Sequence, residues 1–154
     1  MKYKTLEELN ALTDRIIGEA IAVHHELGLG LFEKVYQRCL KIALEQIGFR
    51  VESEIHLPVK FRGHTIDDQG YRLDLLVEDT VIVEIKSAKD NEVFAKQLIT
   101  YLRLAKKPCG LVLNFSKVRL TQGVTRLMNG CLPSLNNSVR DTAQSHRGTE
   151  TQRL

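Results

Sequence analysis

Two apolar stretches of this chain carry charged groups where a core strand should carry none. The first reads Arg72-Leu73-Asp74-Leu75-Leu76-Val77 and the second Val81-Ile82-Val83-Glu84-Ile85-Lys86, joined by Glu78-Asp79-Thr80. Burying a carboxylate or an ammonium is costly unless the group is paired or bound to a metal. Side chains two apart on a strand point to the same face, about 6.5–7 Å apart, so Glu84 and Lys86 share one. A hairpin makes the two strands antiparallel neighbours, and Asp74 can then approach Glu84 across the ladder. Two carboxylates held together repel unless one takes a proton or a cation lies between them. All-oxygen ligands favour a hard divalent ion, Mg²⁺ or Mn²⁺. Lys86 would stand beside such a site as a point charge, able to help deprotonate water or to stabilise charge on a phosphoryl group. The same three charges could instead form a solvated face with a Glu–Lys pair; their place inside apolar strands favours a site.

The elements that must position these groups follow from periodicity. Thr5-Leu6-Glu7-Glu8 is a capping-box pattern. It opens a helix that runs to about Leu27, where Gly28-Leu29-Gly30 ends it. A second helix is expected from about Leu31 to Ile47, with an inner stripe of Phe32, Val35, Tyr36, Cys39, Leu40, Ala43 and Ile47. Val51 to Phe61 alternates apolar and polar residues, as a half-buried strand does. Pro58 lacks an N–H and marks that strand as an edge or a bulge. Gly63 to Gly70 reads as a polar loop, with at most a short strand near Thr65. Tyr71 to Val77 and Val81 to Ala88 form a hairpin, apolar on both faces as expected under helices. A third helix spans Asn91 to Ala105, and Cys109 to Phe115 is a core strand. Val118 to Met128 reads as a short strand followed by a helical turn. The order is α-α-β-β-β-α-β, a mixed α/β sandwich. Residues 1–133 form one domain, and the polar stretch 134–154 is expected to be a flexible tail.

Composition excludes little beyond membranes. A chain of 154 residues with 43% apolar content is enough for one domain with its own core. A net charge of +3 permits a nucleic-acid partner without arguing for one. No run of about 18 apolar residues could span a bilayer, and the first residues lack an apolar signal segment. Cys39, Cys109 and Cys131 show neither zinc spacing nor a disulfide framework. They read as buried thiols of a protein in a reducing cytoplasm. His24-His25 suggests a core or capping histidine, one of the two facing the second helix, and His56 and His64 fall on the exterior.

An Asp, a short spacer and Glu-x-Lys on a hairpin resemble the PD-(D/E)XK, or restriction-endonuclease-like, nuclease superfamily. More narrowly, Gly30-Leu31-Phe32-Glu33-Lys34-Val35-Tyr36 is similar to the signature of the GxxExxY family within it. The similarity extends through Tyr71 to Val77, Glu84-Ile85-Lys86, Gln97 to Leu102 and Gly110 to Phe115, from about His24 to Met128. It implies an α-β-β-β-α-β core, a mixed sheet flanked by helices, with an extra N-terminal helix. It also implies a Mg²⁺- or Mn²⁺-dependent nuclease acting on DNA, or less readily on RNA. Asp74 and Glu84 match the metal-binding carboxylates, the backbone carbonyl of Ile85 a further ligand, and Lys86 the catalytic lysine. Glu33 matches an acidic helix residue that joins the metal directly or through water. Gln97 and Tyr101, four apart on one helix face, resemble a Gln-x-x-x-Tyr pair that contacts substrate; Phe94, Leu98, Tyr101 and Leu102 equally make a packing stripe. Arg72, with Lys60 and Arg62, could form a basic edge for phosphates or a solvated surface. One departure is Leu73, where the superfamily pattern has Pro. The alternative is a catalytically inactive nucleic-acid-binding or protein-interaction module on the same fold.

Overall fold

The computed structural model describes residues 2–89 and 92–130. Cys131 and the polar segment 134–154 lie outside the described residues. Helix α1 (Leu6–Leu27) is followed by α2 (Glu33–Gln46), β1 (Val51–Phe61), β2 (His64–Val77), β3 (Val81–Lys86), α3 (Glu92–Ala105), β4 (Cys109–Asn114), a 3₁₀ turn (Leu120–Gly123) and β5 (Val124–Met128). The five strands lie in sequence order in one sheet. The β1–β2, β2–β3 and β4–β5 pairs are antiparallel, whereas β3 and β4 are parallel. A parallel pair needs a crossover, and α3 supplies it.

Helices cover both faces, so β3 and β4 are buried on both sides. On one face, Val81, Val83 and Ile85 of β3 pack with Leu9, Ile16, Leu40 and Leu44 of α1 and α2. On the other, Ile82 and Val112 pack with Leu98, Tyr101 and Leu102 of α3. Gly110 admits α3 closely: a Cβ there would lie 2.7 Å from Leu98 Cδ1. Parity therefore turns Glu84 and Lys86 toward α3.

Several expectations hold at the level of single contacts. The Thr5 hydroxyl accepts from Glu8 N–H, and the Glu8 carboxylate accepts from Thr5 N–H, so both halves of the capping box form. β1 is an edge strand, and its register slips on both sides of Val59, next to Pro58.

Others are corrected. The segment 64–70 is not a loop but the first half of β2, paired with β1 as far as Phe61 and His64. Its turn is Arg62-Gly63, both at positive φ (48° and 79°), as a two-residue hairpin turn requires. After β4 the 3₁₀ turn precedes the strand, the reverse of the expected order. The buried line of α2 is Tyr36, Gln37, Leu40 and Leu44; Phe32 and Val35 are exposed. Cys109 is buried, but Cys39 is only half-buried. His24 is a core histidine, and its Nε2–H donates to the Lys117 carbonyl at 2.9 Å, beyond β4 rather than on α2.

Tyr36 fixes where α2 begins. Its hydroxyl donates to the Gly28 carbonyl at 2.5 Å and accepts from Leu31 N–H at 3.3 Å, and its ring stacks on Phe115 at 4.3 Å. Tyr36→Phe leaves both backbone groups without that partner. It is expected to lower the unfolding free energy by about 1–3 kcal/mol, measured by urea denaturation.

Candidate active site

The β2–β3 ladder has only three pairs and ends at Leu75 with Val83. The next position in that register sets Asp74 against Glu84, and there side chains take over from backbone. Asp74 N–H donates to Glu84 Oε1 at 3.1 Å, and Ile85 N–H donates to Asp74 Oδ2 at 2.8 Å. The side-chain alternation of β2 also breaks here. Leu75 and Val77 pack toward α1 and α2, but Leu73 and Leu76 both pack toward α3. In β1, Glu54 lies between the residues paired with Leu73 and Leu75, and its φ is 55°. A non-glycine residue in that region is strained and persists only where its surroundings enforce it; here Lys34 of α2 forms an ion pair with the Glu54 carboxylate.

Glu84 is 3% exposed. Burial pushes its carboxyl up to about 8, and the neighbouring negative Asp74 adds to the shift. Asp74 is also raised, first by burial; the Ile85 N–H and Lys86 pull it down and Glu33 pushes it up. Both carboxyls are raised above the ordinary range, Glu84, the more buried, the further. Each carboxyl has one oxygen tied to a backbone N–H and the other free of such a tie. Among the described residues no group of three or more His, Cys, Asp or Glu side chains is close enough to cage an ion. The donor set fits a cation held by two carboxylates that keeps several waters, as Mg²⁺ commonly does.

Asp74 opens onto a cleft of about 470 Å³ lined also by Phe32, Glu33, Lys34, Gln37, Arg72 and Ser87. Glu33 is the first residue of α2, where the helix dipole favours an acid. Its Oε1 accepts from Ser87 N–H at 3.2 Å, just past the end of β3. Arg72 is exposed, and no acid among the described residues pairs with it.

A profile of the PD-(D/E)XK nuclease superfamily matches residues 10–127. The chain belongs to this superfamily. No curated protein matches the chain. The mixed sheet between helices, with its N-terminal helix, is the restriction-endonuclease-like α/β fold of the superfamily. Superfamily members are generally nucleases, hydrolases of nucleic acids, and typically use divalent metals such as Mg²⁺.

Of the residues named from the sequence, Glu33, Asp74 and Arg72 line the cleft, whereas Glu84, Lys86, Gln97 and Tyr101 lie outside its lining. Lys86 makes no ion pair with either acid; its Nζ sits 4.8 Å from the centroid of the Phe94 ring. The Ile85 side chain is in the core. Gln97 Nε2 donates to the Tyr101 hydroxyl, and Tyr101 packs against Tyr71 at 5.4 Å. Burial, with Glu84 adding, pushes the Tyr101 hydroxyl up to about 12. Gln37 is not marked as a site residue by apolar periodicity. It is buried, lines the cleft, and its Nε2 donates to the Asp74 carbonyl at 3.4 Å. The available signal was its position one helical turn after Glu33, on the same face.

A carboxyl raised on folding supplies stability below its unfolded value and loses it as pH rises through its folded value. For Glu84 that window runs from 4.5 to about 8. Without divalent cations, thermal unfolding of the wild type should shift down by several degrees between pH 6 and pH 9. Glu84→Gln should flatten that profile and be the more stable protein at pH 9. An identical pH profile for the two proteins would contradict the assignment.

Proposed function

We propose that this superfamily member is a divalent-metal-dependent nuclease of the GxxExxY branch that hydrolyses phosphodiester bonds, of DNA ahead of RNA. The observation that carries this reading is the Asp74–Glu84 pair: each carboxyl accepts a backbone N–H from the facing strand, Glu84 is buried, and Asp74, half-buried, opens onto the cleft. In this reading Asp74 and Glu84 hold the cation, with the Ile85 carbonyl and, through water, Glu33 in support. When bound, the cation supplies Lewis acidity that lowers the pKa of water and offsets charge on the phosphoryl oxygens.

The remaining work falls to the chain. Arg72 presents a planar guanidinium suited to two phosphate oxygens. Glu33, fixed through Ser87 N–H, faces the same cleft and can order a water by hydrogen bonding. Lys86 carries its ammonium on a long flexible stem beside Phe94, with its positive charge felt by both acids. From there it can donate a proton toward the departing oxygen or stabilise the charge that develops on it. Tyr101 lies close enough to Glu84 to feel its charge, and Gln97, half-buried and bonded to the Tyr101 hydroxyl, is the better placed of the two to meet substrate in this reading.

A single observation favours the second reading, a binding module without turnover: Lys86 engages an aromatic ring rather than the acids. One assay separates the two. Purified protein with Mg²⁺ or Mn²⁺ should nick DNA or RNA, and Glu84→Ala or Lys86→Ala should each reduce the rate by about 10²-fold or more. Binding without cleavage of any substrate would favour the module, and cleavage surviving both substitutions would overturn the mechanism.

A further inference from the structure

Phe32 is the residue that the fold leaves unexplained. It is 84% exposed, although its place in the sequence matches the inner stripe of α2. It occupies the N-cap of α2 and makes no side-chain cap hydrogen bond there. Ser, Thr, Asp and Asn are strongly preferred at that position because they satisfy free N–H groups, which Phe cannot do. The ring therefore helps neither the core nor the helix end. It does line the cleft that holds Glu33, Asp74 and Arg72.

We infer that Phe32 is a stacking platform for a nucleobase, and that the cleft takes an unpaired nucleotide rather than intact duplex. This rests on the nuclease reading and adds a substrate class to it. An exposed aromatic face beside an unpaired cation is the combination that binds single strands: the ring stacks a base and the cation takes the phosphate. Arg72 is that cation, in the same cleft. Lys34 adds positive charge, partly spent on its ion pair with Glu54. In a duplex both faces of each base are already stacked on neighbours, so the ring can engage only a strand end, a single strand or an extruded base. Leu29, Val35 and Ile42 are exposed too, which a protein partner could use. Phe32 differs from them in lining the cleft beside the acids and Arg72.

The test is binding in EDTA, which needs no turnover. Fluorescence anisotropy would follow a labelled single strand of about 15 nucleotides and the same strand in blunt duplex. The wild type should bind the single strand more tightly than the duplex. Phe32→Ala should weaken single-strand binding by about tenfold, Phe32→Tyr should retain it, and Phe32→Leu, apolar but without a ring face, should behave like Phe32→Ala. Unchanged affinity in Phe32→Ala, or wild-type affinity in Phe32→Leu, would overturn the inference and leave the nuclease reading standing. So would unchanged affinity together with a change of oligomeric state in Phe32→Ala, which would assign the ring to a protein interface. A wild-type protein that binds no nucleic acid would overturn both readings.

Discussion

Asp74 N–H donates to the Glu84 carboxylate and Ile85 N–H donates to the Asp74 carboxylate at the point where the β2–β3 ladder would otherwise continue. This exchange of side-chain for backbone acceptors lets two acids enter an apolar sheet. It satisfies two N–H groups that the parting strands would leave without partners. It also fixes both carboxyls without consuming their second oxygens. The cost is electrostatic, because two acids in a poorly hydrated place cannot both ionise cheaply. The carboxyl of Glu84, the more buried member, is accordingly pushed well above the ordinary range, first by its burial and then by the neighbouring Asp74 charge.

The rest of the fold keeps this arrangement in place. Apolar side chains from α1 and α2 on one face and from α3 on the other exclude water from β3. The segment after β3 is tied on two sides. Glu33 holds the Ser87 N–H, while the Ala88 carbonyl accepts from Asn114 Nδ2 at 2.6 Å and from the Ser116 hydroxyl at 3.0 Å. Phe115 N–H donates to the Lys86 carbonyl at 2.8 Å, joining the ends of β3 and β4. Tyr36 sets the start of α2 and with it the position of Glu33. In this structure the Gly, Glu and Tyr of the motif at Gly30, Glu33 and Tyr36 do separable jobs. Gly30 takes a φ of 87°, Glu33 faces the cleft, and Tyr36 pins the incoming loop.

The acids were legible because charge inside Val81-Ile82-Val83-Glu84-Ile85-Lys86 violates the pattern of a buried strand. The capping box and the edge role of β1 were legible because each depends on a few neighbouring residues. The extension of β2 was not, since Arg62-Gly63 lacks the Asn-Gly or Asp-Gly signature of a tight hairpin turn. The buried line of α2 was misjudged at Phe32, Val35 and Leu44. The apolar arc of that helix, from Ile42 and Val35 round to Leu44, is wider than the face it buries, and only the neighbouring α1 and sheet decide which part of it is covered. Gln37 was missed for a related reason: a buried polar residue is invisible to a search for apolar periodicity. That Lys86 would rest over Phe94 is a matter of tertiary placement, which strand parity does not contain.

Titration calorimetry with Mn²⁺ decides whether Asp74 and Glu84 together form the proposed cation site. Saturable binding is expected for the wild type and is lost in Asp74→Asn and in Glu84→Gln while both variants stay folded. Equal binding by the wild type and both variants, or no binding by the folded wild type, would contradict it.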